Sequence, residues 1–178
     1  MIITIIQGGP RAQSQTATVA TYLAAQLSAN PDVSKVEFLD IREYNFPVYG
    51  AGSPGKDRLE DFRTALQHAD GILIVSPEYN GRMPGALKNT LDYFRPEYTK
   101  KPMGAVTVSS GPFGGINALH DLHAWMMYVG SVPLSSKLLV SNVGNLFNED
   151  GEPQEYHFNK NYPKSLSDFM WLVRKIRS

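Results

Sequence analysis

The sequence predicts an α/β fold: one doubly wound parallel sheet of five strands with helices on both faces. Three observations carry that expectation. Apolar runs rich in β-branched residues alternate with amphipathic stretches five times, the pattern of a parallel sheet wrapped by crossover helices. The first and third runs are nearly continuous in apolar character, as strands covered on both faces must be. At 178 residues the chain suits one domain, residues 1–178, with a sizeable core.

Element by element, strands are expected at residues 2–6, 36–39, 72–75, 105–108 and 138–140. Val19, Leu23 and Leu27 make the first helical stripe, and Leu59, Phe62, Ala65 and Leu66 the second. A third helix opens at Pro84, a favoured first-turn residue, and carries Leu87, Leu91 and Phe94. Leu119, Leu122 and Met126 mark the fourth helix; Leu166, Phe169 and Val173 mark the last. Two long loops remain, at about residues 42–56 and 141–163. Neither reads as a linker, because Tyr44, Phe46, Tyr49, Phe147, Tyr156 and Phe158 would seek burial.

Composition excludes several functions. Hydrophobic residues make up 42% and charged residues 19%, which is ordinary for a globular protein. Seventeen basic and seventeen acidic residues cancel, so no single-sign field is available for nucleic acid or an anionic membrane, and neither partner is expected. There is no cysteine, which removes disulfides, thiolate metal sites, a Cys nucleophile and a C-x-x-C redox pair. Redox chemistry would therefore need a borrowed cofactor. His120 and His123 stand three apart on a helix but lack a third ligand, so no metal is expected. No G-x-S-x-G elbow supports a serine hydrolase. Residues 1–6 have no basic lead, and no apolar run approaches the ~20 residues of a membrane span, so a reducing cytoplasm is the expectation.

In the flavodoxin-like strand order 2-1-3-4-5, the first, third and fourth strands are neighbours. The loops that follow them would share one crevice at the carboxyl edge, where doubly wound sheets bind ligands. The first loop is GGPRAQSQT, residues 8–16. Its glycines permit close backbone approach, the helix start presents unpaired N–H groups, and Arg11 offers a charge-assisted contact. The same segment also reads as a helix cap by Ser14 or Thr16 behind a glycine turn. It matches neither the G-x-G-x-x-G pattern nor a P-loop, which favours a monophosphate.

The second loop, SPEYNGRMPG at residues 76–85, could lay backbone amides along a planar heterocycle with Tyr79 as an apolar wall. It also reads as an ordinary strand-to-helix turn. The third, SSGPFGG at residues 109–115, is again glycine-rich, with Ser110 as a polar contact. Together the three indicate an anionic ligand at one edge.

The run SPEYNGRMPGALKNTLDY, residues 76–93, resembles the signature of the NADPH-dependent FMN reductase family, which includes flavin-dependent quinone, azo-dye and chromate reductases. Residues 8–16 resemble that family's G-S-x-R-x-x-S-x-N/T phosphate segment, and the likeness extends over nearly the whole chain. The resemblance implies bound FMN, with NADPH or NADH as donor and a small-molecule electron acceptor. It implies that Gly9, Arg11, Ser14, Gln15 and Thr16 hold the phosphate. Pro77, Glu78, Tyr79, Asn80 and Gly81 would border the isoalloxazine ring, while Ser110, Gly111, Gly114 and Gly115 close the site. Catalysis would be hydride transfer through the flavin in ping-pong fashion, with no side chain as acid or base.

Gly9 stands where the family usually has Ser, leaving a backbone N–H in place of a hydroxyl. A neutral hydrogen bond is worth about 1 kcal/mol against the ~8 of micromolar binding, so the expectation is looser rather than lost FMN. The resemblance also implies a homodimer or homotetramer, with Tyr93, Phe94 and Tyr98 suited to the interface. Arg82 is a candidate contact to a nicotinamide 2′-phosphate. The rival reading is a flavodoxin-type electron carrier, although such carriers tend to be acidic and this chain is neutral. A flavin-binding regulatory protein without turnover is a second rival.

Overall fold

The structure, a computed structural model, describes residues 1–177. Strand β1 (Ile2–Gln7) is the hub, pairing with β2 (Lys35–Asp40) on one side and β3 (Gly71–Pro77) on the other. Strand β4 (Pro102–Val108) follows β3, and every pairing is parallel. β1, β3 and β4 are buried almost throughout, which explains their nearly continuous apolar sequences. The register puts Gln7 beside both Asp40 and Val75, and Pro77 beside Val108. The loops after β1, β3 and β4 therefore leave the sheet at nearly one level.

Helix α1 (Gln15–Ser28) packs on one face together with the terminal helix. The opposite face carries the short α2 (Ile41–Tyr44), α3 (Lys56–His68), α4 (Gly85–Leu91) and α5 (Ile116–Tyr128). Each face has its own apolar cluster, with Phe62 and Phe94 stacked at 4.7 Å on one side and Leu23 and Phe169 fully buried on the other. Burial of one such side chain contributes roughly 1.5–3 kcal/mol. Close approach of the terminal helix needs bare backbone beneath it. A Cβ on Gly104 would lie 2.8 Å from Leu73 Cδ1 and 3.3 Å from Phe169 Cδ2.

The fifth strand position is divided. Both β5 (Val132–Pro133) and β6 (Leu138–Val140) pair with β4, and only β6 is apparent from apolar pattern. Pro133 can sit there because an edge strand need not donate on its outer side. The third helix ends at Leu91, short of Phe94, which is nevertheless fully buried.

The terminal helix, α6 (Tyr156–Arg177), begins well before the expected boundary at Pro163. The Glu155 carboxylate caps it, accepting the N–H groups of His157 at 3.0 Å and Phe158 at 2.6 Å. Pro163 is tolerated because it and Asn159, whose carbonyl loses its partner, are both exposed to water. Of the loop aromatics, Phe46 and Phe158 are buried, whereas Tyr49 and Tyr156 are exposed. Phe94 and Tyr98 are fully buried within the chain, so they do not form a subunit interface. Among the described residues no helix is long and apolar enough to cross a membrane.

Candidate active site

The first loop ends in a defined helix start. Ser14 is the N-cap of α1, its Oγ accepting the Ala17 N–H at 3.2 Å. The N–H groups of Gln15 and Thr16 find no partner among the described residues, as expected for the first turn of a helix. Capping and anion binding thus use different groups and coexist. The Arg11 guanidinium lies 4.9 Å from the centre of the Tyr79 ring, so loops one and two meet across the crevice.

Gly9 departs from expectation. Its N–H already donates to Gln7 Oε1, and its carbonyl accepts from Gln7 Nε2 at 3.1 Å. The N–H left to compensate for a missing serine is therefore occupied within the chain.

The second loop closes on itself. Asn80 (φ 51°) and Gly81 (φ 75°) occupy the left-handed region in succession. Tyr79 and Arg82 exchange backbone hydrogen bonds at 2.9 and 3.0 Å, making a two-residue hairpin. Asn-Gly is the preferred sequence for that turn. This leaves the N–H groups of Asn80 and Gly81 without partners among the described residues.

Two carboxylates then tie the hairpin to α5. Glu78 Oε2 accepts the N–H groups of Asn117 at 2.9 Å and Ala118 at 3.0 Å. In return, Asp121 Oδ2 accepts the Met83 N–H at 3.0 Å. Glu78 thereby caps a helix that has no side-chain cap of its own.

The third loop is shaped by its neighbours. Gly114 (φ 59°) and Gly115 (φ 80°) are both left-handed, and a Cβ on Gly114 would lie 2.7 Å from Leu139 Cβ. Thr107 Oγ1 donates to the Gly114 carbonyl at 2.8 Å. Packing against β6 is thus sufficient reason for Gly114, and a Cβ on Gly115 would press to 3.0 Å against Thr107 Cβ of β4.

A cleft of about 200 Å³ opens where the loops converge. Its walls include Arg11, Ser14, Gln15, Thr16, Pro77, Glu78, Tyr79 and Ser110. Gly9, Asn80, Gly81, Gly111, Gly114 and Gly115 stand outside these walls. Gln13, Ser109, Val108 and Val143 join the lining without having been singled out in the sequence. Ser109 adjoins Ser110 and was within reach of pattern reading. Val143 arrives from a distant turn and was not.

Beneath the first loop, burial pushes the Asp40 carboxyl up, but hydrogen bonds from Arg42 and Gln7 outweigh it and hold the group below the usual carboxylate range. His123, on α5 outside the cleft, is held below its ordinary value by burial and by Lys137 and His120. Among the described residues, no three His, Asp or Glu side chains converge as a metal site would require.

The N–H groups of Gln15 and Thr16, with Arg11 beside them, fit a phosphate. The open hairpin amides and the Tyr79 ring fit a flat polar heterocycle. Fold and site together define a flavodoxin-like α/β protein with a nucleotide-type cleft at the carboxyl edge of its sheet. The family model described as NADPH-dependent FMN reductase matches residues 1–145, and the chain belongs to that family of FMN-dependent oxidoreductases. It is 34% identical over 138 residues to an NADPH azoreductase of Bacillus sp. (strain OY1-2), covering 75% of this chain and 74% of the relative. It is 30% identical over 155 residues to an NAD(P)H-dependent FMN reductase of Pseudomonas aeruginosa, covering 83% of each. The flavoenzyme NAD(P)H:(acceptor) oxidoreductase of Paracoccus denitrificans shares the fold, with a TM-score of 0.82 at 21% identity over 98% of this chain and 97% of that one.

Proposed function

We propose that this chain, as a single domain over residues 1–178, uses NADPH or NADH to reduce a small acceptor by way of FMN held in the cleft. The acceptor class is a quinone, an azo compound, a metal oxyanion or free flavin. The observation that carries this reading is the placement of two sets of unpartnered backbone N–H groups, at Gln15–Thr16 and at Asn80–Gly81, on neighbouring loops of one sheet edge. Gln15, Thr16 and Arg11 hold the phosphate, and the Ser14 cap sets the helix start that presents those N–H groups. Pro77, Glu78, Tyr79, Asn80 and Gly81 border the ring, and Ser110, Gly111, Gly114 and Gly115 close the far side. Gly9 contributes shape rather than a hydrogen bond.

When bound, FMN supplies two-electron hydride acceptance and donation. The chain's own residues bind and orient. Glu78 is committed to two backbone N–H groups of α5, so it is not available as an acid or base. With FMN held by these residues, donor and acceptor would occupy the site in turn, and the kinetics would be ping-pong.

Absorbance titration with FMN and steady-state oxidation of NADPH and NADH with a quinone, an azo dye and free FMN test the reading. Flavin uptake and parallel double-reciprocal lines are expected. A protein that takes up flavin but shows no turnover above background with any acceptor would instead be a carrier or regulator. Arg82 adjoins the hairpin, and Arg82→Ala should raise the NADPH Michaelis constant more than that for NADH. An unchanged ratio removes the 2′-phosphate role. A homodimer or homotetramer remains part of the proposal, supported by exposed Val48, Tyr49, Met127 and Tyr128 rather than by Phe94 and Tyr98. Light scattering on the purified protein decides it.

A further inference from the structure

We infer that Gln7, Asp40 and Arg42 form a clamp that sets the shape of the 8–16 loop for its anion, with the Gln7 amide and the Ser14 cap together filling the space that a side chain at position 9 would need. The inference rests on the FMN reading of that loop. Parallel register sets Gln7 beside Asp40, and both are buried beneath the loop. One carboxylate organises the rest. Asp40 Oδ1 accepts from Gln7 Nε2 at 3.0 Å, while the Arg42 fork engages both Asp40 oxygens, with Nε at 2.9 and 3.0 Å and Nη2 closing the pair. From this anchor the Gln7 amide grips Gly9 at both its N–H and its carbonyl. Arg42 Nη1 extends to the carbonyls of Ala12 at 2.9 Å and Arg11 at 3.3 Å.

Three consecutive-region carbonyls, those of Gly9, Arg11 and Ala12, are thus engaged by donors from below. A carbonyl so engaged is not free to face an anion, and the anion is left the N–H side of the loop. Neutralisation by Asp40 keeps Arg42 from competing as a second anion site. The identity of residue 9 follows. A Cβ there would meet Ser14 Oγ, the cap of α1, most closely, and would lie 2.8 Å from Gln7 Oε1 and 3.0 Å from Thr16 Cβ. Gly9 and Gln7 are coupled through their two hydrogen bonds: glycine leaves room for the amide and the cap, and the amide performs the ordering. These are positioning residues, and none of them is assigned a hydrogen bond to the cofactor.

The test uses the full chain and two readouts. In the flavin-free protein, hydrogen–deuterium exchange at the Gly9 N–H, the amide of this loop that the clamp holds, should quicken in Arg42→Ala, with β3 and β4 amides unchanged. The FMN dissociation constant, read by quenching of flavin fluorescence, should weaken about tenfold, on the order of 1.4 kcal/mol. At saturating FMN, kcat should be unchanged. Arg42→Lys should fall between, since an ammonium lacks the planar fork. Gly9→Ser and Gln7→Ser should each weaken FMN, and the double variant should lose less than the two losses combined.

Unchanged exchange at the Gly9 N–H in a folded Arg42→Ala protein overturns the clamp. Quickened exchange with an unchanged dissociation constant overturns its role in binding. Additive losses in the position 7 and 9 cycle overturn the coupling. If Arg42→Ala does not fold, Arg42→Lys carries the same comparison. Failure of the wild-type protein to bind FMN defeats the functional reading and this inference with it. That outcome is distinct from the clamp's own failure, in which wild type and Arg42→Ala bind equally well.

Discussion

The loops after β1 and β3 lie side by side at one sheet edge, yet they are ordered by different means. The β3 loop is largely self-made: Asn80 and Gly81 supply a left-handed turn, and the Tyr79–Arg82 backbone pair closes it. Only then do Glu78 and Asp121 fasten it to α5. The β1 loop has no such internal closure. Its shape comes from side chains on other elements, Asp40 at the end of β2 and Arg42 on α2, acting with Gln7. A turn closed by its own backbone keeps its form when its surroundings loosen. A loop held from outside depends on the sheet register that brings its holders into place.

The most damaging way to break this comparison is to remove the anchor. Asp40→Ala leaves the buried Gln7 amide without its acceptor and the water-exposed Arg42 fork without its partner, and should cost about 3 kcal/mol of stability. Urea unfolding should show the lower midpoint at unchanged slope. FMN binding should suffer through the β1 loop alone, leaving the hairpin intact by exchange protection. A smaller loss is expected for Glu78→Ala, which removes two charge-assisted bonds at the start of α5 and should cost about 2 kcal/mol. That variant would loosen the hairpin's attachment without opening the turn itself.

Gly81→Ala tests the self-made turn more directly. Nothing lies within 4 Å of the added Cβ, so the expected penalty of about 1 kcal/mol is backbone strain alone. A thermal midpoint unchanged from wild type would show that the turn does not require its left-handed residue.

The finest distinction is one of pH. The Asp40 carboxyl is held below its usual range, so its contribution to stability is complete above the unfolded value, near pH 4, and is lost as pH falls through the folded value. The stability difference between wild type and Arg42→Ala should therefore be constant near neutrality and shrink below about pH 4. A gap that persists into stronger acid would separate the Arg42 contribution from its pairing with Asp40.

Legibility followed the same division. Strands β1, β3 and β4 could be read because burial on both faces leaves a nearly continuous apolar run. The Asn80-Gly81 hairpin is legible in principle, since that dipeptide specifies the turn, although the segment also reads as an ordinary strand-to-helix turn. Three features were not legible. β5 is only two residues long and includes Pro133, so pairing with β4 makes it a strand, not composition. α6 begins at a Glu cap, outside the usual Ser, Thr, Asp and Asn set, and runs through a proline, so its start is not marked locally. Phe94 and Tyr98 have a spacing that suits either a core or an interface, and only the folded packing around α3 and α5 selects the core.

By itself, then, the sequence determined the doubly wound class, the carboxyl-edge placement of three polar loops and, through the 76–93 motif, kinship with flavin reductases. Those are properties of local pattern: periodicity, turn chemistry and motif spacing. The tertiary structure decided which groups in those loops remain free. It showed Ser14 spent on a cap while Gln15 and Thr16 stay open, Glu78 committed to α5, and the Gly9 N–H taken by Gln7. The reason is that a hydrogen-bonding group has a limited number of partners. Which of them it takes depends on neighbours from β2 and α5 that only the parallel register brings within 3 Å.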